Sequence, residues 1–343
     1  MKKAAIIIVN WNGKKLLRGC LRSLYRQTYK NFDIYFVDNG SVDGSSEYVK
    51  RYFSKAKIIQ LDKNYGFAGG NNKGIEKSFE DKKVKYIVCL NNDTIVNKNW
   101  LKGLIKTAER SKDIGMVSSK AYFPDGKIQN AGMGLERALQ VNRFGGHSIG
   151  FGKKDYKNLK KEIEIFAPGG VAPLFRREIF EELLKEQGEI FDEDYFNYVE
   201  DLDIGFRIRL KGYKAYLSPK AKLTHLHSQT GGIASPSKAY YCERNTVLTA
   251  LKNLPLSLIM RFYISNLKLK LSYLKKKNKS VERLSSSTSF SKMLLIVLKA
   301  NLVPLIMLPR FIKKRRKILK GRKVSKKEIK RWFNEFSRER MEG

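Results

Sequence analysis

Three short stretches hold the residues whose types and spacing suit chemistry. In the first, a mostly apolar run from Val84 to Leu90 changes abruptly to Asn91-Asn92-Asp93-Thr94. A carboxylate delivered by a rigid strand can hold a divalent cation against a diphosphate, since hard cations take oxygen ligands. The plainer account is a polar turn ahead of a helix beginning near Trp100, with Asn97 as its cap. In the second, Glu200-Asp201-Leu202-Asp203 follows Asp192, Glu193 and Asp194 and the aromatic residues Phe196 and Tyr198. A carboxylate among aromatics is partly desolvated, which keeps its proton-accepting pKa near working pH, as a general base requires. Asp201 is the candidate. The competing account is charge complementarity at a helix start, roughly 0.3–1 kcal/mol per acid. The third stretch, Thr224-His225-Leu226-His227-Ser228, carries two of the three histidines. Two positions apart in an extended segment they face opposite ways, so they do not share one ion; one of them can join Asp93 as a metal ligand, and the plainer account of each is a surface histidine.

The elements needed to position these residues alternate. Ala4–Val9 is a continuous β-branched and apolar run, as expected of a strand buried on both faces of a parallel sheet. It ends in Asn10-Trp11-Asn12-Gly13, and Leu16, Leu17, Cys20, Leu21 and Leu24 then recur at helical spacing to about Gln27. Phe32–Val37 is a second strand, stopping at Asp38-Asn39-Gly40-Ser41. Asp43-Gly44-Ser45-Ser46 then caps a helix to Phe53. Lys57–Leu61 is a third strand. The glycine-rich segment Asn64 to Asn72 opens a helix to about Phe79, and Val84–Leu90 is the fourth strand. Four alternations within about 110 residues predict a doubly wound parallel sheet. Polar clusters ending strands one, two and four place Asn10, Asn12, Asp38 and Asp93 along one rim, where such sheets bind nucleotides. Each cluster taken alone also fits an ordinary strand–helix turn. Gly66, Gly69 and Gly70 do not follow G-x-G-x-x-G, so no dinucleotide fingerprint is present; they can still bring backbone amides near a phosphate or sugar. Ile114–Ser118 reads as another strand, the chain is irregular to about Glu164, and Ala167–Ala172 leads into a helix bearing Phe175, Ile179, Phe180, Leu183 and Leu184. A further helix with Leu202, Phe206, Ile208 and Leu210 closes at Gly212.

With 42% hydrophobic residues, a packed core is expected rather than disorder. The net charge of +36 is uneven: from Leu251 onward 26 basic residues face 5 acidic ones. That region is built to meet something anionic, nucleic acid or a membrane surface. No zinc-finger, RNP or helix-turn-helix pattern supports nucleic acid. Leu254–Tyr273 and Met293–Ile312 are apolar stretches interrupted by basic residues, with Pro304 and Pro309 weakening the second as a bilayer span. Helices lying in the interface or a re-entrant hairpin, held by anionic lipid, are expected instead. The alternative is a bundle packed on the rest of the chain with a solvated basic face. Three scattered cysteines with no C-x-x-C pair fit a reducing, cytoplasmic setting. The six-residue apolar run after Met1-Lys2-Lys3 is too short for a signal peptide and reads as a strand.

The segments IIIVNWNG, FVDNGSVDGS, NYGFAGGNNKGI, LNNDT, APGGVAPLFRREIF, FDEDYFNYVEDLDIGFRIRLKGY, HLHSQT and YYCERN, in register from residue 4 to 245, resemble family 2 glycosyltransferases, closest to the rhamnosyltransferase-like branch. The resemblance implies a GT-A (Rossmann-like) fold, a mixed α/β sheet with helices on both faces. It also implies inverting transfer of a sugar from a nucleotide-diphospho-sugar, first guess L-rhamnose from dTDP-rhamnose, to a glycan or polyprenyl-linked acceptor. Residues 1–234 are expected to form the catalytic domain, and the charge and apolar stretches of 235–343, where the resemblance thins, point to a basic, membrane-associating helical region at the cytoplasmic face of the cell membrane. Asn10, Asn12 and Asp38 are implied beside the nucleotide, and Asn64, Gly66, Gly69, Gly70 and Asn71 along the nucleotide-sugar pocket. Asn91, Asn92, Gly169 and Gly170 join the substrate-binding set. Asp93 is implied to bind Mn²⁺ or Mg²⁺ with His225, and Asp201 is implied as general base, beside Glu200. Asn91 departs from the stricter DxD motif at its first position. Two rival readings are a nucleotidyltransferase, which shares the sheet and acidic metal site, and a basic nucleic-acid-binding protein.

Overall fold

The structure, a computed structural model, describes residues 2–136, 145–226, 235–264 and 290–342. Its first half is the expected alternation. Strand β1 (Lys3–Asn10) leads to α1 (Lys14–Tyr25), β2 (Phe32–Asp38) to α2 (Ser45–Tyr52), β3 (Ala56–Gln60) to α3 (Gly66–Ser78), and β4 (Val84–Cys89) follows. These strands lie side by side in the order β3-β2-β1-β4, all parallel, with Asn10 registered against Asp38. The ends of β1 and β2 therefore share one rim. Leu90, just past β4, donates its N–H to the carbonyl of Ile7 (2.8 Å), which brings the Asn91–Asp93 turn to the same rim.

Beyond β4 the sheet becomes mixed. A short strand β5 (Thr94–Val96) precedes α4 (Trp100–Ala108), and β6 (Ile114–Tyr122) follows. Asn97 does not cap α4; Asn99 holds that position, and the Asn97 carbonyl accepts from the N–H of Trp100. Three short strands, β7 (Ile128–Asn130), β8 (Met133–Leu135) and β9 (Gly146–Ser148), and a two-residue strand β10 (Glu164–Ile165) occupy the irregular region. The segment before α5 (Arg177–Gln187) is a strand, β11 (Leu174–Arg176), inserted antiparallel between β4 and β6. Phe175 thus lies in a strand rather than on the helix expected there. The antiparallel insertion buries Leu174 and Phe175 on opposite faces of the sheet, in two separate apolar clusters. Helix α6 (Glu200–Leu210) then leads into β12 (Lys214–His225), parallel to β6 and antiparallel to β5.

One apolar layer contains Ala4, Ile6 and Ile8 with α1, α2 and α4. The other contains Ala5 and Ile7 with α3, α5 and α6. The second layer continues into the basic region. Helix α7 (Pro236–Asn253) buries Val247 and Ala250 in it. After α8 (Phe290–Ile306) and α9 (Leu308–Lys320), α10 (Lys326–Glu335) and α11 (Arg338–Glu342) add Ile329, Trp332, Phe333 and Met341. Arg209 of α6 lies over the Phe336 ring at 4.4 Å. Composition changes near residue 235, but among the described residues the packing does not. No single described helix is long and apolar enough to cross a membrane. Leu295–Ile306 and Leu308–Lys320, bent by 63° at their junction, meet that test only as a pair.

Candidate active site

The rim of β1 and β2 is wired locally. Asp38 is buried, and one oxygen accepts from the Ser41 N–H (2.9 Å) while the other takes the Ser46 hydroxyl. Asn10, also buried, donates to the Ser41 hydroxyl (3.3 Å) and accepts from the side chain of Asn92 (2.7 Å). Asn12 adopts a left-handed φ of 51° and accepts from the Val42 N–H (2.8 Å). Asn10, Asn12, Asp38 and Asn92 thus form one network that fixes the turns after three strands.

The next segment is fitted as closely. Asn39 joins Asn64 and the Gly66 carbonyl (both 3.0 Å), while Asn64 accepts from the Gly66 N–H. Gly66 has φ +70°, and a Cβ there would lie 2.4 Å from the Phe196 carbonyl oxygen, so glycine alone fits. A Cβ on Gly70 would strike Val9, and one on Gly69 would strike Tyr65. Asn71 is buried and bonds back to the Phe67 carbonyl within α3. Asn72, which the sequence reading did not single out, clamps α3 to Phe191 through both backbone groups.

Asp93 and His225 meet. The imidazole Nε2 lies 2.9 Å from an Asp93 oxygen and 3.4 Å from the Asn91 amide nitrogen. Antiparallel pairing of His225 with Thr94 brings them together from positions 132 apart in the chain. Nδ1 of the same ring faces Oε1 of the buried Gln129. With that oxygen accepting, Nδ1 carries the proton and Nε2 presents its lone pair toward the carboxylate. Two electron-rich atoms side by side are what a bridging cation or proton satisfies, and a carbonyl behind a ligating histidine is the usual way its tautomer is fixed. Among the described residues no cluster of three His, Cys, Asp or Glu side chains could hold an ion unaided. The pair nevertheless suits a hard divalent cation that takes its remaining ligands from phosphate oxygens and water. His227 lies outside the described residues. Gln129 had no sequence signal: it falls in the irregular region and reaches the site only through β7.

Asp201 is tied to the Asn91–Asp93 turn through the backbone of Gly170 and Val171. Its Oδ2 accepts from the Gly170 N–H (3.0 Å) and its Oδ1 from the Leu202 N–H (2.8 Å). The next residue, Val171, accepts through its carbonyl from the Asn91 N–H (3.0 Å). The Gly170-Val171 turn therefore touches Asp201 with one residue and the start of the Asn91–Asp93 turn with its neighbour. Gly169 packs on Asn130 and Gly170 on Asp201; a Cβ at either would crowd those side chains. Burial pushes the Asp201 carboxyl up from its ordinary value, opposed by the Leu202 and Gly170 amides. Burial pushes the adjacent Glu200 up further, helped by the nearby Asp201 charge, and Glu200 Oε2 has no partner. Of the two, Glu200 is the harder to ionise, which leaves Asp201 as the better proton acceptor of the pair.

The backbone that presents Asp201 is strained. Phe196, Tyr198 and Val199 all have positive φ, between 63° and 69°, a conformation costly for side chains of this size. Asn245 of α7 holds it there, its buried amide donating to the carbonyls of Tyr195 (3.0 Å), Asn197 (2.9 Å) and Tyr198 (2.8 Å). Arg244 adds bonds to Asp194 and Tyr195. Beneath them Lys252, fully buried, pairs with Asp192 (2.5 Å) and Asp203 (2.8 Å).

Residues 5–184 match the model described as "Glycosyl transferase family 2". The O-antigen biosynthesis protein RfbC of Myxococcus xanthus is 25% identical over 66% of this chain and 17% of its own length. The N-acetylglucosaminyl-diphospho-decaprenol L-rhamnosyltransferase of Mycobacterium tuberculosis (strain CDC 1551 / Oshkosh) is 22% identical over 66% of this chain and 77% of its own. The chain spans a quarter or less of the length of several curated relatives it matches. The mannosyltransferase PcManGT from Pyrobaculum calidifontis, solved with GDP-Man and Mn²⁺, superposes with a TM-score of 0.53 at 17% identity, covering 93% of this chain and 85% of that one. That likeness shows a common fold.

Proposed function

Because the chain belongs to glycosyl transferase family 2, we propose that it is an inverting transferase moving a sugar from a nucleotide-diphospho-sugar to a hydroxyl of a glycan or lipid-linked acceptor. The observation that carries this reading is the Gly170–Val171 bridge. It brings a proton-accepting carboxylate, Asp201, to the strand end that bears Asp93 and His225. Each Asp201 oxygen accepts one backbone hydrogen bond and keeps a lone pair for the acceptor hydroxyl. Asp201 takes that proton as the oxygen attacks the anomeric carbon from the face opposite the diphosphate, so no covalent sugar–enzyme intermediate is needed. Glu200, buried and harder to ionise, leaves Asp201 the better acceptor of that proton. Asp93 and His225 would hold a divalent cation, which when bound would supply Lewis-acid neutralisation of charge on the leaving diphosphate. Asn10, Asn12 and Asp38 hold the turns that face the nucleotide.

L-Rhamnose from dTDP-rhamnose is the first donor to test, since the mycobacterial relative is named for rhamnosyl transfer to a decaprenol-linked acceptor. A lipid-linked acceptor also fits the exposed apolar side chains of the C-terminal region. Leu295, Leu298, Leu302, Leu305 and Ile306 of α8 stand in solvent, as do Leu256 and Met260, and α9 adds Lys313, Arg316 and Lys320. This surface docks on the cytoplasmic side of the membrane by apolar insertion and charge.

The test is a panel of UDP-, GDP- and dTDP-sugars with purified protein, read as nucleotide released. Nucleoside diphosphate that disappears on chelation and returns with Mn²⁺ or Mg²⁺ supports the proposal. Pyrophosphate as the product would make the protein a nucleotidyltransferase. In flotation with phosphatidylglycerol vesicles, Leu298→Glu with Leu302→Glu should abolish co-flotation; unchanged flotation would remove this surface from the membrane contact.

A further inference from the structure

A cavity outside the site is a groove of about 1360 Å³ between α1 and the opposite wall made by β5, β12 and the loop at Lys160. Its walls are basic from end to end. Lys15, Arg18, Arg22 and Arg26 recur at intervals of three and four, so one exposed face of α1 carries four cations in a row. Lys98, Lys160, Lys220 and Lys222 line the facing wall, all exposed. None of these eight pairs with a carboxylate among the described residues. The groove's only acid, Asp155, is already taken by the buried Lys120 and by Tyr122. Eight unpaired like charges facing one another across a cavity repel in the absence of a counter-charge, and chains normally disperse such charge with acids between.

Three features select the occupant. The groove starts beside the reaction site: Ile95 is two residues past Asp93, and Lys222 three before His225. It lies on the α1 and α4 layer, whereas α7 packs in the opposite layer, and α8, with the exposed leucines, packs on α7. A flat membrane that receives α8 does not also fill this groove. No aromatic residue lines it, so it offers no platform for stacking bases.

We propose that this groove binds a linear polyanion, a polymer bearing a phosphate or carboxylate in each repeat, and that the polymer is the acceptor chain. Naming the polymer as the acceptor rests on the sugar-transfer reading; the binding itself does not.

The experiment uses the full chain and long-chain inorganic polyphosphate as the probe, with dextran as the neutral control, oligo-dT, phosphatidylglycerol vesicles and a salt series. Binding should be absent for dextran and should fall steeply with salt. Arg18→Gln with Arg22→Gln, both at exposed positions, should weaken polyphosphate binding about thirtyfold. Lys326→Gln with Lys330→Gln, an equal charge loss on α10, should stay within about twofold of wild type. Equal losses in both double variants would reduce the effect to net charge and overturn the groove. Tighter binding of oligo-dT than of polyphosphate, or vesicles displacing polyphosphate, would overturn the occupant. Failure of wild type to turn over any nucleotide sugar would remove the acceptor role while leaving the polyphosphate result to stand or fall alone.

Discussion

Asp38 and Asp201 are carboxylates at the same edge of the sheet, and the chain holds them by opposite means. Asp38 is fixed by Ser41 and Ser46, three and eight residues away. The backbone that presents Asp201 is pinned by Asn245, 47 positions beyond Tyr198, and passes through three non-glycine residues with positive φ. The nucleotide side is thus assembled by turns that close on themselves. The base side depends on a helix that must pack before the loop can hold its shape. Local closure gives a rim that forms with the sheet; remote closure gives a carboxylate whose placement reports on the docking of α7.

The sharpest break of this comparison is Asp201→Asn. Removing the base should lower transfer about 10²–10⁴-fold while donor binding, measured calorimetrically, survives. Near-normal turnover would take Asp201 out of the role. Next comes Asn245→Ala, which touches no reacting group. It leaves the carbonyls of Asn197 and Tyr198 without their donor, while that of Tyr195 keeps Arg244 and the Asn197 N–H, so kcat should fall up to about a hundredfold with little change in donor KM. The melting temperature should drop as well, since each unsatisfied buried carbonyl costs about 1–3 kcal/mol. A fall in stability with unchanged kcat would mean that Asn245 does not position Asp201. Gln129→Leu should weaken Mn²⁺ binding, followed by electron paramagnetic resonance, about 10–100-fold by freeing the His225 ring. Ser46→Ala, on the locally closed side, should cost only about 1 kcal/mol of stability and scarcely alter kcat.

The smallest effect concerns pH. Folded Glu200 holds its proton more tightly than the unfolded chain, whose reference value is 4.5. Its contribution is therefore fully present below about pH 4.5 and is lost as pH rises toward the folded value. Glu200→Gln removes that loss, so the variant should out-melt wild type by a margin that widens as pH rises above about 4.5. A constant margin would show that Glu200 is charged in the fold. The Asp201 carboxyl is also raised, above a reference of 3.8, so transfer should decline as pH falls through that raised value, with Asp201 protonated and unable to accept.

The same contrast explains what could be read beforehand. Strands β1, β2 and β4, with their terminal Asn10, Asp38 and Asn91–Asp93, were legible because apolar runs ending in polar clusters are local signals. β11 was not: three residues, Leu174–Arg176, carry too little periodicity, and the antiparallel insertion is decided by pairing with Val88 and Val117. Gln129 and Asn72 act across 96 and 119 positions, beyond any window of pattern. Asn97 and Asn99 are equally good caps on paper, and chain geometry chose Asn99. The basic region was read by composition as separate, yet its aromatic residues Trp332 and Phe336 complete the core around Phe166 and Arg209.

That completion has a bearing on synthesis. The carbonyl of Phe336 receives the N–H of Leu135, and Glu342 receives that of Gly150. A nascent chain emerging from the ribosome can pair its parallel strands early, but the face around Phe166 stays open to water, and to other chains, until residues past 330 have been made. A premature stop anywhere before Trp332 should therefore send the product to aggregation or proteolysis even though every residue of the reaction site has already been translated.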